Sequence, residues 1–473
     1  MGSTFGGLNI GLTALVADQV AMDTSAHNTA NANTDGYTRQ RVELQAAPAY
    51  PAPAFNRSGT PGQIGTGVSI AAIQRIRDAF VDQQIRQENP VLGQWTTLQD
   101  QLGRVETVFP EPSSTGLGAA LSQFWGAWQD LAASPTSTAA KAAVVEQGGN
   151  LASALNSTST QLSSLVAGID YQVGQQVDQV NELATQLASL NQQIKQVAVS
   201  GDNPNDLMDQ RDLLLDKLSS LVPITVQAQS DGTDTVLAGG VNLVTENQAR
   251  EMTTTTDANG HLVPSWQSGQ PVALGDSALG ALVTLRDTTI PGYMRALDGL
   301  VSTLVNAVNG VYGTAGGSSG GTPPAFFVST AGAGVAPMAA TIAVSSDLVA
   351  NPDTLATGTA GPGDNSIAGA IADLQNARTL FGAGTDQTIG DAYAGLVGRV
   401  GSDSQQATTM AGNEQLIVQH LTDQRESESG VSLDEEATDM IRFQRGYEAA
   451  SRVITAMDQM LDQLINRTGA AGL

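Results

Sequence analysis

The chain has 473 residues, with 21 basic against 46 acidic side chains, a formal net charge of −25 and no cysteine. That balance repels phosphate backbones and anionic headgroups, so nucleic acid and membrane surfaces are not expected partners, and the lack of cysteine removes disulfides, thiolate metal sites and cysteine nucleophiles together. The length suggests about three domains, and with only 4% aromatic residues the composition suits long helices in close approach better than a thick globular core.

Residues 5–30 read as a helix on which Leu8, Leu12, Leu15, Gln19, Met22 and Ala26 recur at three- and four-residue spacing. It ends in the stretch 28–37, where Asn, Thr, Asp and Gly compete with helical hydrogen bonds. Residues 38–44 follow as extended chain, and the proline-rich stretch leaves 46–76 as a linker. Helical periodicity resumes near Arg77 and runs to Val108, with a break or kink expected at Pro90. Leu121, Phe124, Trp125, Trp128 and Leu131 then share one face, which reads as packed core. Between Ala139 and Val199 the apolar spacing predicts a rod; the stretch from Leu162 to Val197 alone would extend roughly 54 Å at about 1.5 Å per residue.

A short helix over 206–221 stops at Pro223, and β-branched runs separated by Asp231-Gly232 and Gly239-Gly240 predict hairpins over 224–267. Residues 279–311 are helical again; 313–324 are rich in glycine and serine, 325–348 look extended and 349–365 form a loop. Two further helices, 366–381 and 388–429, lead into a terminal stripe of Met440, Phe443, Tyr447, Ala450, Ile454, Met457, Leu461 and Leu464, the spacing of a coiled-coil seam. The fold class is therefore mainly α with β insertions: an elongated multidomain protein with N- and C-terminal helices forming a coiled coil, a helical-bundle middle domain and a small β-rich outer domain. The segments are 1–45 (N-terminal coiled coil), 46–76 (linker), 77–222, 280–312 and 366–429 (helical rod domain), 223–279 (β-rich insertion), 313–365 (Gly-rich and β-rich insertion) and 430–473 (C-terminal coiled coil).

The chemistry of catalysis has little to stand on. His27, His261 and His420 are isolated, with no metal-binding spacing around them. The glycines at 316–321 lack the Lys-Ser/Thr ending of a phosphate loop and read as linker. Asp434-Glu435-Glu436, just after Ser432, reads as the acidic start of a helix. Asp209-Gln210-Arg211-Asp212 reads as a solvated face or an interdomain ion pair. No enzyme, cofactor or metal is expected. Met1–Asp18 has no basic region followed by an apolar core, so no ordinary secretory signal is expected, and no stretch reaches the roughly 18–20 apolar residues of a membrane span.

Residues 31–42, containing Asn31, Asn33, Gly36, Tyr37, Arg39 and Gln40, resemble the N-terminal motif of bacterial flagellar rod, hook and hook-associated proteins. Residues 430–436, with Asp434, Glu435 and Glu436, followed by 440–447, resemble the matching C-terminal motif. Residues 206–218 and 280–287 are similar to the hook-associated protein 1 (FlgK) family of hook-filament junction proteins. The resemblance implies a structural axial component, exported by the flagellar type III route and located in the flagellum outside the cell. It also implies partners: other copies of itself, the hook protein, the second junction protein and a cytoplasmic export chaperone on the C-terminal helix. Another axial protein, such as that second junction protein or a hook subunit, is the alternative. Leu8, Leu12, Leu15, Met22 and the terminal stripe from Met440 to Leu464 are the expected subunit-packing residues. Isolated helices gain little in water, so these ends are expected to acquire order by docking on each other and on neighbouring copies.

Overall fold

The computed structural model describes residues 6–50, 64–314, 325–329, 337–361, 363–381 and 385–463; Leu464 and the 316–321 glycine run lie outside them. The chain divides into two compact units, residues 1–90, 179–252 and 415–473, and residues 91–178 and 253–414. Helix dominates, and the strands form small antiparallel sheets.

The first unit begins with α1 (Gly6–Asn31), β1 (Gln40–Ala46) and β2 (Val68–Arg75). β1 and β2 pair in antiparallel register from Gln40 opposite Arg75 to Ala46 opposite Val68. The stretch expected as a linker over 46–76 thus contains a strand; prolines punctuate only its first part, and Val68, Ile70 and Ile73 supply the β-branched content that period-2 pairing uses. α2 (Ala79–Val108) runs unbroken through Pro90, correcting the expected break. Pro90 is buried, and its packing offsets the one missing amide donor.

α4 (Thr138–Val199), the longest helix at 62 residues, and α5 (Asn205–Leu221) hold the next sheet, β3 (Ile224–Ala228), β4 (Asp234–Ala238), β5 (Val241–Thr245) and β6 (Gln248–Ala249). Gly239 and Gly240, at φ +55 and +79°, supply the two left-handed residues of the tight β4–β5 turn. α4 ties the sheet down with asparagines. The Asn191 amide donates to the carbonyls of Asp234 (2.8 Å) and Glu246 (2.9 Å) while its oxygen accepts from Asp234 N–H (3.1 Å). Asn181 does the same to both backbone groups of Met252. The first unit ends with α12 (Leu433–Asp462), preceded by the last residues of α11 (Ile389–Ser429). Ser432 caps α12 by accepting from Glu435 N–H, with Asp434, Glu435 and Glu436 in its first turn; the acidic run is a helix start, as its charge at a positive dipole end implies.

The second unit is built on α3 (Leu117–Ala133), α6 (Ala278–Thr284) and α7 (Ile290–Tyr312), with β7 (Met252–Thr256) and β8 (Leu262–Trp266) as a hairpin. Its centre is aromatic: Phe124, Trp128, Tyr312, Phe326 and Phe327 are all buried, with Phe326 and Phe327 rings 4.8 Å apart and edge-on. Between α6 and α7 the helix widens to a π turn at 285–289. There the buried Arg286 donates to Asp170 (2.6 Å) and to the carbonyl of Leu262 (2.6 Å), tying the hairpin to α4. Among its described residues, the region expected to be extended, 325–348, holds β9 (Phe327–Ser329) and β10 (Ile342–Val344) together with the short helices α8 (Met338–Thr341) and α9 (Ser346–Ala350). The helix expected over 366–381 is α10 (Ser366–Asp373); β11 (Thr379–Phe381) and β12 (Thr385–Gln387) follow as a pair.

Candidate functional site: the paired ends and their clasp

α1 and α12 pack against each other in antiparallel. Gly7 faces Met457, Gly11 faces Ile454, Asp18 faces Gly446 and Ser25 faces Glu436. The contact is close because α1 is small there: a methyl group on Gly11 would fall 2.7 Å from Ile454 Cγ1. Large side chains of α12 are knobs, and the glycines of α1 floor the holes that receive them. Ala450 is buried, Met440, Phe443, Ile454, Met457 and Leu461 are half-buried, and Tyr447 is exposed.

The N-terminal stripe borders this seam. The face of α1 turned to α12 carries Gly7, Gly11, Asp18 and Ser25; Leu8 and Leu12 each follow a seam glycine by one residue, while Leu15 and Met22 flank Asp18 at three- and four-residue spacing along the edge of the seam. Leu12 is 52% exposed, and Leu8, Leu15 and Met22 are half-buried. Apolar spacing located the larger side chains, whereas close helix approach selects the smaller ones.

At the α12 N-terminus the two motifs meet in a polar clasp. Glu436, 1% exposed, accepts from Arg39 Nε (2.7 Å) through one oxygen and from Ser25 Oγ (2.7 Å) through the other. Arg39 also reaches Glu435 (2.5 Å) and Asp439 (3.5 Å), and its backbone N–H donates to Ser429 O. The oxygen of buried Asn28 accepts from Tyr37 Oη (2.7 Å) and Gln40 N–H (3.0 Å), and its amide donates to Gln40 O (2.9 Å). Gln40 in turn donates to Asp206 (2.7 Å) and accepts from Asn205 (3.1 Å). Gly36, at φ +76°, would press a Cβ to 3.2 Å from Leu213, so glycine answers both the left-handed backbone and the close approach. Asn31 steadies the turn by accepting from Thr34 Oγ1 (3.2 Å). Burial, with Asp206, Asp209 and Glu436 nearby, pushes the Tyr37 hydroxyl well above its ordinary range. Asn33 and Asp434 are exposed.

Behind the clasp lies an arginine–aspartate network. Arg75 bridges Asp209 (2.7 Å) and Asp212 (2.8 Å); Arg86 bridges Asp212 and Asp216 (3.0 Å each); Arg77 chelates Asp82; Arg425 reaches Asp216 (2.7 Å). Arg211 sits 2.9 Å from Asp234 and donates to Gly232 O (2.8 Å). Asp209, Arg211 and Asp212 are all buried, so of the two readings of this motif the solvated face fails and ion pairing holds: Asp209, Asp212 and Asp216, at 3–4 spacing on α5, meet arginines. Burial would raise the Asp212 carboxyl, but Arg77, Arg75 and Arg86 hold it down at about 2. Asp209 is pushed up by burial despite Arg75 and Thr38, and Asp234 likewise despite Arg211. Asp209 also accepts from Thr38 N–H (2.9 Å), joining the network to the N-terminal motif.

Three family models match: the helical domain of flagellar hook-associated protein FlgK over 102–327, the flagellar basal body rod FlgEFG protein C-terminal over 423–467 and the flagella basal body rod protein over 8–38. Flagellar hook-associated protein 1 of Bacillus subtilis (strain 168) is 34% identical, with all of both chains covered. The chain belongs to the flagellar hook-associated protein 1 family. The Escherichia coli (strain K12) member is 25% identical over 97% of this chain and 99% of its own. The hook junction protein FlgK of Burkholderia pseudomallei shares the fold at 17% identity and a TM-score of 0.63, covering 74% of this chain and all of that one. The two rod-protein matches of this family member fall on α1 with the start of the clasp and on α12, the segments that the seam brings together.

Ser25, Asn28, Arg75, Arg77, Arg86 and Arg425 were not singled out by sequence. A signal for the arginines existed: Asp206, Asp209, Asp212 and Asp216 share a helix face, and such a row of carboxylates demands either water or a matching set of cations. Among the described residues no group of acids and histidines could hold a metal ion, and no helix is long and apolar enough to cross a membrane.

Proposed function

We propose that the chain builds its layer of the flagellar axis by docking the α1–α12 pair of one copy on the pairs of its neighbours. As a member of its family it is a structural component of the bacterial flagellum at the hook-filament junction, assembling with other axial proteins. The observation that carries the reading is the set of large apolar side chains that the described residues leave uncovered on the pair: Ile10, Leu12 and Val16 on α1, and Ile441, Val453 and Met460 on α12, are all exposed. Each such side chain buried between subunits contributes on the order of 1.5–3 kcal/mol before ordering costs. Leu12, with partly covered Leu8, Leu15 and Met22, faces neighbours in this reading, while Met440, Phe443, Ala450, Ile454, Met457 and Leu461 hold the pair together, with Tyr447 at its rim. The hook protein and the second junction protein are the partners above and below, and an export chaperone covers the exposed face of α12 before type III export. Leu12→Asp tests the reading. Incorporation into flagella of cells lacking the native chain is expected to be abolished while the purified variant stays folded, and normal incorporation contradicts it. Ile454→Asp is expected to abolish incorporation by opening the pair itself.

A further inference from the structure

The side of α1 that meets α12 carries the polar side chains of Asp18 and Ser25, and Asn28 follows about one turn later against Gln40 and Tyr37. Ser25 is answered by Glu436 and Asn28 by Gln40 and Tyr37. Asp18 alone has no hydrogen bond or ion pair among the described residues. It is half-buried, and its carboxylate lies against the backbone of Gly446, where a Cβ would sit 2.7 Å from Oδ2. No side chain at that position of α12 covers or neutralises it. Burial pushes its carboxyl above the ordinary range. A charge partly removed from water with no partner is unfavourable in the single chain, and the seam would be more stable with an asparagine there.

The same helix pair also carries cations without partners. Arg445 and Arg452 on α12 are exposed and make no ion pair among the described residues, although basic side chains are scarce, 21 against 46 acidic. Arg39, Arg75, Arg77, Arg86, Arg211 and Arg425 are already paired with carboxylates in the clasp and network. Copies with a net charge of −25 repel one another, and a cation of one copy set on a carboxylate of the next relieves that repulsion. We infer that Asp18 is an intersubunit acceptor that receives the guanidinium of Arg445 or Arg452 from a second copy of this chain. A helical array is propagated by heterologous contacts, in which the patch of one copy that bears Asp18 meets a different patch of the next. This acceptor role rests on the docking of α1–α12 pairs proposed above.

Asp18→Asn separates the roles because the two readouts move in opposite directions. The purified variant is expected to melt at the same or a higher temperature by circular dichroism, while its incorporation into flagella of cells lacking the native chain falls at least tenfold. Arg445→Asp or Arg452→Asp is expected to lose incorporation likewise. Asp18→Arg combined with the matching arginine change is expected to recover it. A lower melting temperature for Asp18→Asn overturns the inference by making Asp18 a stabilising residue of the single chain. Lost incorporation that neither charge exchange restores assigns the partner to another protein and overturns it too. Should Asp18→Asn incorporate normally while Leu12→Asp does not, the inference fails and the docking reading stands; should both incorporate normally, both fail.

Discussion

Two long helices of the chain differ sharply in how they are held. Over 23 residues α7 buries eight side chains, from Ile290 to Tyr312, and it belongs to a finished core. Over 30 residues α12 buries two, Glu436 and Ala450, although its apolar stripe is longer. The difference is that α7 is enclosed by its own chain, whereas α12, among the described residues, packs chiefly on α1 along one side. Helices of this length owe their stability to packing, so the α1–α12 pair is complete in geometry and incomplete in burial. A single polar clasp fixes its position, and neighbours must supply the remaining cover.

Four substitutions sharpen the contrast. The largest effect belongs to the finished core: Trp128→Ala removes a fully buried ring from the aromatic cluster and is expected to cost about 3–5 kcal/mol in chemical denaturation. Loss of the clasp comes next. Glu436→Ala leaves Arg39 and Ser25 without their buried acceptor and is expected to cost about 3 kcal/mol. By hydrogen exchange that loss is confined to α1, α12 and residues 36–40, with α7 unchanged; equal deprotection of α7 would refute the separation.

Asp212→Asn tests the network through its pH dependence. The folded carboxyl stands at about 2 against an ordinary 3.8, so its contribution is present above pH 3.8 and disappears as pH falls through about 2. The gap between native and Asp212→Asn proteins is expected to be about 2 kcal/mol near neutrality and to close on acidification over that window. Asp209 and Asp234, both raised by burial, act with the opposite sign: their protonation relieves a penalty, which blunts the acid loss without reversing it. A gap that persists at pH 2 would show that Asp212 acts through shape. The smallest effect is at the seam. Gly11→Ala gains helix propensity but sets a methyl 2.7 Å from Ile454 Cγ1, for an expected net loss of about 1 kcal/mol in the protection of α1.

The helices were legible because their signal is local. The spacing around Phe124, Leu187 and Leu304 alone implies buried faces, and the Ser432 cap with its acidic turn marks the start of α12. The clasp was half legible: family resemblance pointed to Arg39, Gln40 and Glu436, but only the fold brings Glu436 onto Ser25, 411 positions away. The Asp209–Asp212 motif stays ambiguous in the sequence, between a solvated face and ion pairing, because a charged helix face in water and one against arginines have the same local pattern, and Arg75, Arg86 and Arg425 come from three distant segments. β2 was missed because the prolines before it dominate the composition of its neighbourhood.

Hydrogen exchange of α1 and α12, measured on the soluble chain and again on the chain in isolated flagella, tests the central claim most directly. In the soluble chain both helices are expected to exchange far faster than α7, and in flagella to slow by at least about a hundredfold while α7 changes little. Protection of α1 and α12 equal to that of α7 in the soluble chain, and unchanged in flagella, would contradict the account.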